Sequence, residues 1–279
     1  MKFAVIQERK SPPDRRVVLD PMSCLKLLSN FPSAELMIET SPIRVFSDAE
    51  YLKLDLKVVE NVSDADILIG VKEVPIEALI PNKSYFFFSH TIKKQPYNRN
   101  LLQAILDKNI TLYDHETLVN KFHHRLIGFG YYAGVVGAYN GFRALGLKLN
   151  SFKLPKANTL VDRLALNKQL DQINIPSVKI ILTGTGRVGQ GAKEILDHLN
   201  IKQVSVNQFL NDKFEDAVYV QLDVLDYCER HDGMSIGKKD FFESPKAYKS
   251  IFDRFTKIAD FFIAGHYYAK DAPVFFTRE

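Results

Sequence analysis

The chain has 279 residues, of which 46% are apolar and 25% are charged, and this composition supports two moderate hydrophobic cores better than one large core. The net charge of +4 is modest and the basic residues are mixed with acidic ones, so no nucleic-acid partner is expected. Two cysteines far apart exclude a disulfide framework and a cysteine-based zinc site, no metal is expected, and no apolar run approaches the ~18 residues of a membrane helix. The start of the chain shows no targeting signal, so we expect a cytoplasmic protein without a membrane partner. The sequence leaves the oligomeric state open.

Short apolar runs alternate with amphipathic segments in the first 125 residues. Buried strands of a parallel sheet read as continuous apolar runs, and such strands are predicted at 3–6, 34–39, 66–71, 84–89 and 110–114. Helices are predicted between them, including 22–29 and 97–108. This alternation predicts a βαβ-type domain.

Polar residues follow two of these strands directly. Lys72 follows the third predicted strand, and His90 follows the fourth. In open α/β sheets ligands bind outside the carboxyl ends of the strands, so the two side chains are predicted at one edge, where a lysine and an imidazole can share acid and base roles. The alternative is a solvated lysine and a structural histidine. Three further histidines are expected at the surface: His115, His123 and His124.

A charged loop follows the first strand. Pro12 and Pro13 stiffen it before Arg15 and Arg16. A preset arginine fork suits the bidentate capture of a carboxylate, and an ordinary charged surface loop is the alternative.

Residues 125–146 differ from the alternating pattern before them, because glycines recur every three or four positions, at 130, 134, 137 and 141. That spacing places small groups on one helix face, where another backbone can come close. We predict a long buried helix that joins two domains, one spanning residues 1–129 and the other 130–279.

The second domain contains a glycine motif between a strand and a helix. The apolar run 178–183 leads into Gly184-x-Gly186-x-x-Gly189, and a helical pattern follows. Gly184 suits a tight turn, Gly186 lets the backbone approach a pyrophosphate, and Gly189 lets helix and strand pack closely. The motif, with Arg187 and Val188, is therefore predicted to bind a dinucleotide. A strand-turn-helix that needs glycine only for its geometry is the alternative.

Further strands are predicted after this motif, at 201–206, 217–222 and 260–265. His266 follows the last of them and is predicted to face the nicotinamide.

Five segments in order resemble the superfamily of alanine dehydrogenase and lysine-forming saccharopine dehydrogenase. They are E-R-K-S-P-P-D-R-R-V at 8–17, G-V-K-E-V-P at 70–75, F-F-F-S-H-T-I-K-K-Q-P-Y-N at 86–98, G-F-G-Y-Y-A-G-V-V-G-A-Y-N-G at 128–141 and G-T-G-R-V-G at 184–189. The S-H-T-I-K-K-Q block favours the saccharopine branch. The resemblance implies an α/β protein of two Rossmann-like domains whose parallel sheets flank a cleft, with substrate bound by the first domain and NAD by the second.

The resemblance also implies roles for residues that match its motifs. Arg16 would bind a substrate carboxylate, Lys72 and His90 would form the acid-base pair, and Glu73 and Glu116 would tune their charge. Lys93 and Lys94 are further candidates for binding carboxylates.

The implied reaction is NAD-dependent oxidation of a CH–NH bond, which converts saccharopine to lysine and 2-oxoglutarate. An alanine dehydrogenase, which needs one carboxylate clamp, and a nucleotide-binding protein without catalysis remain alternatives.

Two departures from the family pattern are visible. The acidic residue that the family pattern places after the strand following the fingerprint, where it would bond the adenosine ribose, is replaced by Asn207. Asn207 can still bond a ribose hydroxyl but repels a 2′-phosphate less, so we expect NAD to bind more tightly than NADP by a small margin only. A preference for either NAD or NADP of more than ~100-fold would mean that a residue other than Asn207 recognises the ribose. The family also continues further than this chain, so we expect a truncated form or a natural fragment, and its own turnover is left open.

Overall fold

A computed structural model describes residues 1–234, 237–268 and 271–277 of the chain. The chain divides into two compact units, Met1–Gly128 and Phe129–Glu279. The division lies one residue before the predicted boundary. No helix in the described ranges is both long enough and apolar enough to cross a membrane.

The first unit is built on a six-stranded parallel sheet. Its strands are β1 (Lys2–Val5), β2 (Glu35–Glu39), β3 (Lys57–Val59), β4 (Ile67–Lys72), β5 (Ser84–Phe88) and β6 (Thr111–Asp114). The strand order is β3-β2-β1-β4-β5-β6, and every neighbouring pair is parallel. The order reverses between β1 and β4, and ligands bind at such a switch point in open α/β sheets.

Three helices flank these strands: α1 (Pro21–Asn30), α2 (Asp48–Leu52) and α3 (Arg99–Asp107). Helix α1 begins where the sequence favours it, because Asp20 accepts a hydrogen bond from the Ser23 amide at 2.7 Å and proline occupies the first turn. The five predicted strands and the helices at 22–29 and 97–108 are confirmed. The three-residue β3 and the five-residue α2 were not predicted, because such short elements show no hydrophobic period.

Both faces of this sheet are buried. Ala4 and Val5 are adjacent in β1, yet they belong to different hydrophobic clusters. Successive side chains of a strand point to opposite faces, so a sheet covered on both faces requires apolar residues at every position. This is why the strands read as uninterrupted apolar runs.

The second unit contains a four-stranded parallel sheet and a small antiparallel pair. Its strands are β7 (Lys179–Thr183), β8 (Lys202–Gln203), β9 (Val218–Leu222), β10 (Cys228–Arg230), β11 (Tyr248–Ser250) and β12 (Phe261–Ala264). Its helices are α4 (Gly130–Leu149), α5 (Arg163–Leu170), α6 (Arg187–His198), α7 (Val206–Asn211), α8 (Val224–Tyr227), α9 (Lys238–Glu243) and α10 (Asp253–Thr256). The order of the larger sheet is β12-β7-β9-β8, and β10 pairs with β11.

The strand predicted at 201–206 requires a correction. Strand β8 ends at Gln203, and Ser205 caps α7 by accepting a hydrogen bond from the Gln208 amide at 3.2 Å. Lys202 and Gln203 are exposed, as suits an edge strand, whereas β9 is largely buried and lies between β7 and β8. The strand that comes second in the sequence is therefore not the neighbour of β7.

Glycines let α4 and α6 pack backbone to backbone. A Cβ atom on Gly134 would lie 1.9 Å from the carbonyl oxygen of Val188, and one on Gly191 would lie 2.0 Å from that of Tyr131. The predicted close approach along a glycine face is confirmed at Gly134. The prediction that the whole helix is buried was wrong, because Tyr132 is exposed on another face of α4. This packing holds α6, and thus the glycine loop that precedes it.

Candidate active site

The loop after β1 is bonded to the end of β4. Glu8 is buried and accepts hydrogen bonds from the amides of Val71 at 2.6 Å and Lys72 at 2.9 Å. Burial raises the pKa of Glu8, although the two amides act in the opposite direction. These bonds place the charged loop beside Lys72 at the switch point of the sheet.

The structure places Lys72 and His90 at the carboxyl ends of adjacent strands. Lys72 is the last residue of β4 and pairs in register with Phe88, two residues before His90. His90 has a φ of 57°, in the left-handed region that non-glycine residues seldom adopt. Such conformations cost energy and concentrate at functional sites.

Glu116 contacts His90 and two cationic side chains. Its Oε2 lies 3.0 Å from His90 Nδ1, and its Oε1 lies 3.3 Å from Lys93 Nζ and 3.4 Å from Arg125 Nη1. Burial alone would raise the pKa of Glu116, but the bonds to His90 and Lys93 lower it below its usual value. Glu116 is therefore an anion that can accept a hydrogen bond from His90 when Nδ1 carries the proton, and in that tautomer Nε2 of the ring is left for proton exchange.

Glu73 lies next to Lys72 and is paired with the loop. Lys10 Nζ donates to its Oε1 at 2.7 Å, while Oε2 is buried without a hydrogen-bond partner in the described part of the chain. Burial would raise the pKa of Glu73, but the Lys10 ammonium, a backbone amide and the charge of Lys72 together lower it below its usual value. The carboxylate predicted to tune Lys72 is thus itself held charged by Lys10.

The predicted carboxylate-binding residues differ in their surroundings. Arg16 is exposed and its Nε donates to Asp14 Oδ1 at 2.9 Å, which lowers the pKa of Asp14. Lys93 lies at the His90 cluster, 3.1 Å from the ring Nδ1, and Lys94 is exposed.

His115 corrects the prediction that it lies at the surface. It is buried, its Nε2 lies 3.0 Å from the carbonyl oxygen of Gly70, and its ring packs against Phe88. Burial lowers its pKa, so the imidazole is neutral and Nε2 carries the proton. Sequence reasoning also missed Glu8 and Arg125; the position of Glu8 directly after an apolar strand was the available signal. His123 and His124 are exposed as predicted.

In the second unit each glycine of the fingerprint has a distinct geometric role. Gly184 has a φ of 90°, and a Cβ on Gly189 would lie 2.0 Å from the Gly184 carbonyl oxygen. A Cβ on Gly186 would meet nothing within 4 Å, so open space lies in front of this residue. Helix α6 begins at Arg187, and its first amides have no intrahelical acceptor. The glycines therefore form a cradle for an anion at a helix start.

The cradle opens on a cavity of about 470 Å³ at the carboxyl edge of the sheet. Arg187 and Val188 line it from the first turn of α6, and His266 lines it from the segment that follows β12. His266 Nδ1 lies 2.7 Å from Thr183 Oγ1, the ring stacks on Phe275, and burial lowers the pKa of the imidazole.

Asp223 also lines this cavity, and sequence reasoning missed it. It directly follows β9, forms an ion pair with Lys238, and accepts a hydrogen bond from Thr185 Oγ1 at 3.4 Å. Its Oδ1 is buried without a hydrogen-bond partner among the described residues. Asn207 instead lies in α7, is exposed and accepts from Asn211 Nδ2 at 2.8 Å.

These features fit a dinucleotide such as NAD. The space in front of Gly186 and the amides of α6 suit a pyrophosphate, and a carboxylate oxygen without a partner suits a hydroxyl donor.

Comparison with known proteins finds sequences similar to this chain. Residues 4–136 match the family described as Alanine dehydrogenase/PNT, N-terminal domain. The match covers nearly all of the first unit and just under half of the chain. Over 95% of its length it is 30% identical to the mitochondrial alpha-aminoadipic semialdehyde synthase of Bos taurus, of which it covers 31%. Over 72% of its length it is 27% identical to a saccharopine dehydrogenase (NAD(+), L-lysine-forming) of Yarrowia lipolytica, of which it covers 58%. The chain thus spans less than two thirds of each relative.

Solved structures show the same fold. An L-alanine dehydrogenase matches 79% of this chain and 60% of its own, with a TM-score of 0.53 and 18% identity. The transhydrogenase of Sinorhizobium meliloti matches 95% of this chain and 69% of its own, with a TM-score of 0.53 and 14% identity. The predicted α/β fold with parallel sheets is confirmed, and the chain is related to amino-acid dehydrogenases.

Proposed function

We propose that the chain belongs to an NAD-dependent amino-acid dehydrogenase that oxidises the CH–NH bond of saccharopine and yields lysine and 2-oxoglutarate. The observation that carries the proposal is the placement of Lys72 and His90 on adjacent strand ends, with Glu116 Oε2 3.0 Å from His90 Nδ1. The glycine cradle of the second unit supplies a fitting site for the cofactor.

When NAD is bound, its nicotinamide supplies the acceptor for the hydride that leaves the carbon bearing the secondary amine. The residues of the first unit manage the protons. Lys72 or His90 accepts the proton that the amine loses as the C=N bond forms. The same pair then removes a proton from the water that adds to this carbon and returns one to the nitrogen as the C–N bond breaks. Glu116 orients the His90 ring for both transfers.

The cationic groups at this edge favour a substrate with several carboxylates. Arg16 follows the first strand and Lys93 lies beside His90, so two separate segments of the first unit carry positive charge. Alanine needs one carboxylate clamp, whereas saccharopine has three carboxylates. This difference favours saccharopine over alanine as the substrate.

The decisive measurement follows the absorbance of NADH with two substrate sets. We expect oxidation of NADH with lysine and 2-oxoglutarate, and none with pyruvate and ammonia. The reverse result would assign the alanine reaction. Tight NADH binding with no turnover of either set, in this chain and in a longer form that includes the remainder of the family's length, would assign a nucleotide-binding protein without catalysis.

A further inference from the structure

The strand order of the second unit identifies a residue that selects the cofactor. We infer that Asp223 binds the adenosine ribose hydroxyls and makes the site prefer NAD over NADP; this inference rests on the proposed nucleotide site. It assigns to Asp223 the role that the sequence pattern assigned to Asn207.

The ribose of a dinucleotide is read from the strand beside the fingerprint strand, because the pyrophosphate is fixed on the glycine loop and the ribose lies next to it. In this sheet β7 pairs with β12 on one side and with β9 on the other, and β12 is followed by Gly265 and His266, whereas β9 is followed by a carboxylate. Thr183 pairs in register with Leu222, and the Gly184 amide donates to the Leu222 carbonyl at 2.9 Å. Asp223 is the next residue, so its carboxylate lies directly beside the start of the glycine loop.

Asn207 lacks this position. Strand β8 is separated from β7 by the whole width of β9, and Asn207 is the second residue of the helix that follows β8. Its amide oxygen is bonded to Asn211, and it is absent from the described lining of the cavity.

The contacts of Asp223 fit a hydroxyl ligand. Oδ2 meets Lys238 and Thr185, whereas Oδ1 has no hydrogen-bond partner in the described ranges. A carboxylate accepts hydrogen bonds from both hydroxyls of a ribose and repels a 2′-phosphate. Asp226 adds a second negative charge nearby, since its Oδ2 accepts from the Asp223 amide at 2.7 Å.

Because Lys238 pairs with Asp223, the preference for NAD over NADP depends on the negative charge of Asp223. While Asp223 is a carboxylate, it neutralises the ammonium group. If the carboxylate becomes an amide, the ammonium faces the cavity without its counterion and attracts a phosphate instead.

The test measures dissociation constants of NADH and NADPH by calorimetry. The unaltered chain should bind NADH more tightly than NADPH by about 100-fold or more. Asp223→Asn should weaken the binding of NADH and strengthen that of NADPH, which reduces this ratio to below about 10-fold. Asp216→Asn makes the same chemical change just before β9, at its opposite end, and should leave the ratio unaltered. Thermal unfolding of each variant verifies that it is folded, and Lys238→Ala, which keeps the carboxylate, should weaken NADPH further.

The results separate this inference from the proposed function. The role of Asp223 would be overturned if the preference for NADH over NADPH stayed the same in Asp223→Asn. It would also be overturned if this preference were lost in Asn207→Ala. Either result would leave the nucleotide site in place. NADH binding without any preference in the unaltered chain would overturn it as well. Failure of the unaltered chain to bind either nucleotide would instead refute the proposed site itself.

Discussion

His90 and Glu116 come from the ends of neighbouring strands, and His90 Nδ1 lies 3.0 Å from Glu116 Oε2. A carboxylate at Nδ1 selects the ring orientation that leaves Nε2 for the substrate, which is the arrangement that acid-base catalysis by histidine requires. Lys72 is the last residue of β4, which pairs with β5 on the side opposite to β6. The three residues thus come from three consecutive strand ends of one sheet.

Removing either member of the Lys72 and His90 pair should therefore lower turnover by ~10²–10⁴ and delete a limb of the pH profile. The double variant should raise the activation free energy by less than the sum of the increases in Lys72→Met and His90→Gln, because the two residues act as a unit. Steady-state kinetics across pH tests this, with Lys57→Met as a control at the opposite edge of the sheet. Turnover and pH dependence within about twofold of the unaltered protein would make both residues ordinary strand ends and His266 the next candidate.

Gly186→Val should abolish NADH binding and leave the unit folded. The new side chain meets no protein atom near its Cβ, so it extends into the space that the pyrophosphate needs. Calorimetry with NADH measures the loss, and circular dichroism measures the fold. An NADH affinity equal to that of the unaltered chain would place the nucleotide elsewhere.

Lys10→Met should raise the pKa of Glu73. Burial acts on this carboxyl most strongly and raises its pKa, and the Lys10 ammonium is the main group that lowers it. In the unaltered chain the folded pKa is below the unfolded value of 4.5, so the ion pair stabilises the fold above pH 4.5 and is lost as pH falls through the folded pKa. Carboxyl NMR titration of Glu73 tests the shift. Glu50, whose pKa is lowered by Ser47, serves as the internal control, and an unmoved Glu73 would contradict the prediction.

The stability of the first unit should decline as pH falls below 6.5, in part through His115. Burial lowers its pKa beneath the ordinary value of 6.5, so the unfolded chain takes up the proton first, and the contribution is retained only above that pH. Imidazole NMR titration and amide exchange in β4 measure the two effects. His115→Gln should flatten the pH dependence of exchange, whereas a His115 midpoint above 6.5 would show that burial is not the dominant influence.

Gly134→Ala and Gly137→Ala should change stability in opposite directions. A methyl group on Gly134 collides with the Val188 carbonyl, while one on Gly137 meets nothing within 4 Å. Alanine is preferred to glycine in a helix by about 0.5–1 kcal/mol, so Gly137→Ala should stabilise the second unit by about that amount. Thermal unfolding compares the two, and equal effects would show that α4 does not approach α6 this closely.

Much of the fold was predictable because the signals are local. A strand buried on both faces must be apolar throughout, so β1, β4 and β5 were visible in the sequence, and Lys72 and His90 followed from the ends of these strands. The glycine motif was equally visible, because a φ of 90° at Gly184 is a requirement of the local backbone.

The remaining features depend on contacts between distant segments. His115 follows a strand just as His90 follows another, yet one side chain packs inside and the other joins Glu116, and only the packing of neighbouring strands separates the two cases. The order of β8 and β9 is a similar case. Chain order placed Asn207 beside the fingerprint, whereas hydrogen bonding of β9 to β7 places Asp223 there. Strand pairing is decided by burial and hydrogen bonding across the whole sheet, and no local pattern records which strand becomes the neighbour.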